Sequence, residues 1–391
     1  MSERQPCWSE FTAPDAEYTE ERLPGLISAL AEHDLGRLED ADSPVLELFR
    51  RAGGPGLLIP EAHGGLGLDC RGALRVQSSL ATLSPSLGVG TMMHHLAVVS
   101  FVEYLRVHVG DDAPQWALLA SIANNGHLVA SASSEARRGD DALVPNTTAT
   151  AVDDGAGYVL NGAKKPCSLA RSMDILTTSV RVRSADERDG TVALAVLPAT
   201  LEGVSVRPFW RSPVLVAAES EEVVLDDVRV PSVMLLPGGH PESGMDELQV
   251  RAWIWFEVLA CGTYLGTAQA LFDRAAASPR TDRRALGEAA AELFGYRSTC
   301  QAAAGVLDSG ATAESAMTAA LLARTLVEER LPNLCARLAG LLGGLAFVGS
   351  GDVGLLLATS RALAFHPPSR VRTTESLGGH FGGAPLDLSI F

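Results

Sequence analysis

A few positions in this chain carry side chains whose type and setting could take part in a reaction. Ser168 ends the stretch Asn161-Gly162-Ala163-Lys164-Lys165-Pro166-Cys167-Ser168, which closes a predicted hairpin beginning at Ala149 and leads into the apolar strand Asp174 to Thr178. A hydroxyl at the far end of a glycine-turned hairpin suits a redox ring, whose hydride-exchanging nitrogen needs one well-placed hydrogen-bond partner. Glu257 is a lone carboxylate inside Trp253-Ile254-Trp255-Phe256-Glu257-Val258-Leu259-Ala260. Aromatic neighbours would desolvate it, raise its pKa and make it a better proton acceptor near neutrality; the other reading is a glutamate on the solvent edge of an apolar helix. His366, followed by Pro367-Pro368, could act as a base or bind a substrate oxygen, or could fix a loop by bonding backbone. Ser133 and Ser134 precede a glycine-containing loop, where hydroxyls and backbone N–H groups would suit a ring edge that gains negative charge, or would cap a turn. Gly343 and Gly344 carry no Cβ and would let backbone approach a pyrophosphate, or would stop a helix ahead of Phe347.

Elements must hold these groups in place, and the chain of 391 residues, 47% apolar and 20% charged, is long enough for more than one core. From about Tyr18 to Gly126 the pattern is helical. Val76, Leu80 and Leu83 recur on one helix face until Pro85 interrupts it, and the Pro- and Gly-rich run from Leu57 to Leu68 is a loop. From Leu128 to Leu236 short β-type runs follow one another: Thr148 to Val152, Tyr158 to Leu160, Ile175 to Val182, Val192 to Val196 and Val223 to Leu225. Beyond Gly244 four Ala/Leu-rich segments (Gln249 to Ala277, Ala285 to Val306, Ser315 to Leu331, Cys335 to Leu345) predict an antiparallel bundle. The expectation is an α+β protein with an N-terminal α-helical domain (1–127), a central β-barrel or sandwich domain (128–236) and a C-terminal four-helix bundle (237–391).

A formal net charge of −16 argues against nucleic acid as a partner, since phosphate binding needs basic surface. The local basic spots Arg280, Arg283, Arg284 and Arg137, Arg138 could meet a phosphate-bearing substrate or an acidic carrier, or be solvated turns. The six cysteines show no C-x-x-C and no metal-ligand spacing with histidine, so no metal is expected and the thiols read as reduced, in a cytoplasmic setting. No signal-like start and no run of eighteen or so uninterrupted apolar residues suggests export or a membrane anchor.

Five motifs in order then carry a resemblance to the acyl-CoA dehydrogenase superfamily over essentially the whole length. They are Ile59-Pro60-Glu61-Ala62-His63-Gly64-Gly65-Leu66-Gly67, Ser134-Glu135-Ala136-Arg137-Arg138-Gly139-Asp140-Asp141, Leu160-Asn161-Gly162-Ala163-Lys164-Lys165, Leu225-Asp226-Asp227-Val228-Arg229-Val230-Pro231 and Leu342-Gly343-Gly344-Leu345-Ala346. The resemblance implies FAD, with Ser133, Ser134 and Ser168 on the flavin ring and Gly343-Gly344 near the dinucleotide. It also implies a homodimer or homotetramer formed through the C-terminal helices.

Departures from the family pattern bear on the reaction. Pro166-Cys167-Ser168 stands where the family usually has Trp-Ile-Thr or Trp-Ile-Ser, so an aromatic wall is missing while the hydroxyl remains, and of the family's Arg-Asp pair only Arg361 has a compatible place. Thioester dehydrogenation needs a carboxylate that removes the α-proton while hydride leaves to the flavin. The family usually places it after the Arg-Asp helix, yet Ala362 to Arg370 contains none; a minority places it on the first bundle helix, where Glu257 stands one position from the expected slot. The resemblance therefore implies α,β-dehydrogenation of an acyl thioester on coenzyme A or an acyl carrier protein, in a specialised pathway, with Glu257 or His366 in the catalytic role and an electron acceptor or oxygen to reoxidise the flavin. The alternatives are a flavin-dependent monooxygenase or N-hydroxylase on the same fold, which the missing base and the His366-Pro367-Pro368 segment resemble, and a non-catalytic scaffold.

Overall fold

The computed structural model describes residues 9–110, 113–136, 144–152, 157–183, 190–238, 245 and 247–391. Cys7, Arg137, Arg138 and the rest of the loop motif as far as Asp141 lie outside the described residues. The chain opens with four helices, α1 (Ser9–Arg22), α2 (Leu26–Ala31), α3 (Leu35–Leu38) and α4 (Val45–Arg51), whose Leu26, Leu30, Leu38, Val45 and Phe49 are all buried, as is Leu23 just after α1. In α5 (Cys70–Leu83) Val76 and Leu80 are buried, as their spacing predicts. Pro85 does more than end that helix: it occupies the first turn of α6 (Pro85–His108), where its missing N–H has no partner to lose. The buried Glu39 carboxylate seats that helix start, accepting from Ser84 Oγ at 2.6 Å, Ser86 N at 2.9 Å and Ser86 Oγ at 2.6 Å. A carboxylate there also meets the positive end of the helix dipole. Helix α7 (Trp116–Asn125) completes the N-terminal part.

The central region is one mixed sheet of β1 (Val129–Ala132), β2 (Thr148–Val152), β3 (Gly157–Cys167), β4 (Ile175–Arg183), β5 (Val192–Pro198), β6 (Val204–Arg207), β7 (Glu221–Pro231) and β8 (Leu235–Pro237). Its order is β6-β7-β3-β2-β4-β5-β8, with β1 added in parallel beside β4. Strands β2 and β3 form the expected hairpin, with Ala149 opposite Leu160. Asn161-Gly162 departs from expectation, because β3 runs straight through it to Cys167 instead of turning. The register against β7 slips between Leu160 and Gly162, which is a bulge. Asn161 stabilises it by donating Nδ2 to Asp227 Oδ1 and accepting Asp227 N at Oδ1, each at 2.9 Å. Glycine is required beside it, since a Cβ on Gly162 would lie 2.5 Å from Thr147 Oγ1.

The C-terminal helices are α8 (Glu247–Ala277), α9 (Arg283–Asp308), α10 (Ala313–Gly349), α11 (Gly351–Thr359) and α12 (Arg370–Phe381). Two segments that the sequence reads separately, Ser315 to Leu331 and Cys335 to Leu345, run on as α10: Pro332 sits inside the helix, and the break falls at Gly343, where φ is +77°. Helix α8 is the hub, packed against α5, α6, α9 and α10 and buried almost continuously from Ile254 to Phe272. By length and composition α6 and α10 could each cross a bilayer; 83% of the apolar window of α6 is buried inside the fold, and 22% of that of α10.

Gly162→Ala is expected to destabilise the protein by about 1–3 kcal/mol, because the new methyl must displace Thr147 at the bulge. Denaturant unfolding of the whole chain measures it, and an unchanged midpoint would show that the close approach is not constraining.

Candidate active site

On the sheet side, a buried ion pair organises the segment that carries Ser133 and Ser134. Lys164 on β3 reaches Glu135 Oε1 at 2.9 Å, with both side chains almost fully enclosed. The Glu135 carboxylate also accepts Thr147 N and Thr147 Oγ1 at 2.8 Å and Asn146 Nδ2 at 2.8 Å. Burial alone would raise its pKa, but Lys164 and the Thr147 and Asn146 donors hold it down at about 2. Lys164 Nζ further donates to Ser133 O, and Lys165 N donates to Ser134 O at 2.9 Å, so the serine segment is tied along β3. Both serines are exposed, and Ser134 Oγ accepts Ala136 N at 3.3 Å, the turn-capping contact. Ser168, just past β3, is buried with Oγ 3.0 Å from Ser220 Oγ.

On the helix side, Arg324 of α10 is the centre. Its Nη1 donates to Glu257 Oε2 at 2.8 Å, its Nε to Glu328 Oε2 at 3.0 Å, and its Nη2 to the carbonyls of Leu363 and His366 at 2.9 Å each. Glu257 is 0% exposed and Arg324 1% exposed. Burial pushes the Glu257 carboxyl up to about 7 against the pull of the guanidinium. Its second oxygen, Oε1, has no hydrogen-bond partner among the described residues. His366 follows a short 3-10 turn, Ala362–Phe365, and its Nε2 lies 2.7 Å from Tyr264 Oη of α8. The Phe256 ring meets it edge-on, with centroids 5.9 Å apart. Burial and then the nearby Arg324 charge push the His366 pKa down to about 3, so the imidazole is neutral.

Helix α6 stands between these two groups. A Cβ on Gly88 would lie 2.8 Å from Thr263 Cγ2 on α8, and one on Gly90 would lie 2.9 Å from Leu169 Cδ2, next to Ser168. Two glycines one half-turn apart thus let the Ser168 segment and the Thr263-Tyr264 segment close on the same stretch of helix. His94 locks the helix in depth: its Nδ1 accepts Val129 N and its Nε2 pairs with Pro55 O, each at 3.0 Å. Both nitrogens are satisfied only by the neutral ring with hydrogen on Nε2.

The structure therefore brings Glu257 and His366 together through Arg324, and ties Ser133 and Ser134 to the strand that leads to Ser168. Gly343 and Gly344 lie apart at the break in α10, with open space around both. Sequence reasoning missed Arg324, Tyr264, Gly88, Gly90 and the Lys164–Glu135 pair. Glu135 and Lys164 were visible as members of motifs, and Arg324 as a lone cation in the apolar run Ala319 to Val327, but nothing local signalled their partners.

Residues 130–228 match the acyl-CoA dehydrogenase middle domain. An isobutylamine N-hydroxylase of Streptomyces viridifaciens is 40% identical over 373 residues, covering 94% of this chain and 97% of that protein. Among solved structures, FMN-bound TdsC, a dibenzothiophene monooxygenase from Paenibacillus sp. A11-2, shares the fold with a TM-score of 0.79 at 19% identity, over 97% of this chain and 100% of the other. Butyryl-CoA dehydrogenase from Megasphaera elsdenii does so with a TM-score of 0.74 at 16% identity, over 97% of this chain and 100% of the other.

Two outcomes follow from the electrostatics. His94, held at about 4, and His366, at about 3, stay neutral in the fold, whereas an unfolded histidine titrates near 6.5. Below about pH 6.5 the unfolded chain takes up protons that these folded histidines refuse, so their contribution to stability falls as pH drops through 6.5 toward 4 and below, by on the order of 3 kcal/mol from His94 alone. The raised Glu257 carboxyl acts in the opposite sense, so the measurement is the difference in denaturation midpoint between wild type and His94→Gln from about pH 7.5 to 4.5, and a difference that does not change with pH would contradict it. Glu135→Gln removes the charge that Lys164, Thr147 and Asn146 are arranged around and is expected to cost about 3–5 kcal/mol, measured by denaturant unfolding at pH 7.

Proposed function

The chain belongs to the acyl-CoA dehydrogenase superfamily, and from that premise we propose that it is a flavin-dependent monooxygenase that hydroxylates an amine nitrogen. The observation that carries this reading is the state of Glu257. Burial raises its pKa as a base would need, but the carboxyl is closed off from solvent and held by Arg324 at 2.8 Å, so it faces a structural guanidinium and the interior of the fold instead of a substrate. The stretch Ala362 to Arg370, where the resemblance would place the other base, offers a neutral His366 and no carboxylate. Thioester dehydrogenation, expected from the family at large, lacks its proton acceptor and gives way to the oxygenation alternative. The 40% identity with an amine N-hydroxylase across nearly its full length supports the same choice.

The donor set suits a flavin: exposed hydroxyls at Ser133 and Ser134, and a Ser168–Ser220 hydroxyl pair in which one hydroxyl satisfies the other and keeps a free proton or lone pair. These serines would hold the ring, and the open backbone at Gly343-Gly344 leaves room for the adenylate half of FAD, although a relative of the same fold carries FMN. A bound reduced flavin supplies the electrons that activate dioxygen. The balanced reaction is RNH2 + O2 + 2 e⁻ + 2 H⁺ → RNHOH + H2O. Around it, the chain's own groups enclose the site and orient it: Phe256 and Tyr264 wall the His366 ring, and His366 stands as the polar group available to the reacting atoms. A homodimer or homotetramer formed through the C-terminal helices fits the exposure of Leu345 (79%), Phe347 (55%) and Val348 (84%) beside Gly344, and a cytoplasmic location fits the buried free thiols.

With reduced flavin and air, isobutylamine is expected to yield its hydroxylamine carrying one atom from heavy dioxygen, read by mass spectrometry. His366→Ala is expected to lower that rate by about 10²-fold or more while flavin still binds. Conversion of butyryl-CoA to an enoyl product, with no oxygen entering any amine, would overturn the proposal.

A further inference from the structure

The hydrogen bond between Tyr264 and His366 fixes which nitrogen of the imidazole carries its proton. Tyr264 is 0% exposed, and burial pushes its pKa upward, so its hydroxyl keeps its hydrogen. Among the described residues that hydroxyl has a single partner, His366 Nε2 at 2.7 Å. If the ring donated from Nε2, the tyrosine hydrogen would be left buried without an acceptor, and an orphaned buried donor is costly. The tyrosine must donate, Nε2 must accept, and the neutral ring then bears its hydrogen on Nδ1. Arg324 completes the arrangement by binding the carbonyl of the same residue at 2.9 Å, which fixes the backbone from which the ring projects.

We infer that Tyr264 is a positioning residue that holds His366 in the Nδ1-protonated tautomer, so that His366 meets the reacting partner as a hydrogen-bond donor to an oxygen atom and not as a base. A donor directed at an amine lone pair would suppress its nucleophilicity, which leaves an oxygen acceptor as the group this N–H serves. The role given to the N–H rests on the monooxygenase reading above; the tautomer itself does not.

The test is a long-range proton–nitrogen correlation spectrum of the flavin-loaded protein grown with nitrogen-labelled histidine. Of the nine histidines, His366 is identified by the signals lost in His366→Asn. Wild type is expected to show a protonated Nδ1 and a bare Nε2, and Tyr264→Phe to lose that signature. A protonated Nε2 in wild type, or an unchanged tautomer in Tyr264→Phe, would overturn the inference. The activity arm uses two isosteres. His366→Asn places an amide N–H where Nδ1 stood and is expected to retain about tenfold or more of the rate kept by His366→Gln, which places it where Nε2 stood, a ratio worth one good hydrogen bond. Equal rates for the two would overturn the donor role. If wild type oxygenates no amine, the monooxygenase reading fails on that count alone, and the spectrum still decides the tautomer.

Discussion

A guanidinium removed from water is tolerable only when its donors are answered, and at Arg324 they are answered by two carboxylates and two backbone carbonyls. Those partners come from α8, from α10 itself and from the turn ahead of His366, so one side chain joins three pieces of chain. The isolated Coulomb attraction of such a pair is offset by the cost of taking both charges out of water. What the cluster confers is geometry: the turn at Leu363 to His366 can occupy only the place where its carbonyls meet Arg324. The His366 ring that projects from that turn inherits the constraint.

The sheet side follows the same logic with different groups. Lys164 and Glu135 are buried together, and the backbone and side chains of Asn146 and Thr147 satisfy the remaining carboxylate lone pairs. The segment bearing Ser133 and Ser134 is thereby fixed along β3, whose bulge at Asn161-Gly162 sets how the strand runs on to Ser168. Between the two clusters, α6 is thin where thinness is required: glycine at 88 and 90 admits α8 on one side and the Leu169 segment on the other. Both clusters thereby hold their segments rigidly against the same stretch of α6, and rigidity of that kind matters wherever chemistry is done, since misplacement by about 1 Å at a reacting centre is enough to cost much of the rate.

Much of the fold was legible because its signals are local. The spacing of Val76 and Leu80 marks a buried helix face, and Thr148 to Val152 reads as a strand with the ends found in the structure. Two readings failed for physical reasons that a local pattern does not carry. Asn-Gly between apolar runs looks like a hairpin turn, yet here it is a bulge, because Asp227 on a neighbouring strand completes the asparagine's bonds and Thr147 crowds the glycine. Pro332 looks like a helix end, yet α10 continues through it and breaks at Gly343.

Taken by itself, the amino-acid sequence determined the order of helices, sheet and helices, the family resemblance, and the short inventory of groups able to do chemistry, since periodicity and motif spacing reside in neighbouring residues. Tertiary structure alone decided what those groups meet. Glu257 finds Arg324 across 67 positions and Tyr264 finds His366 across 102. Whether a carboxylate is a base or a counter-ion, and which nitrogen of an imidazole holds the proton, depends on what lies within about 3 Å of it in space, and electrostatic and hydrogen-bond energies fall off with that distance and not with separation along the chain.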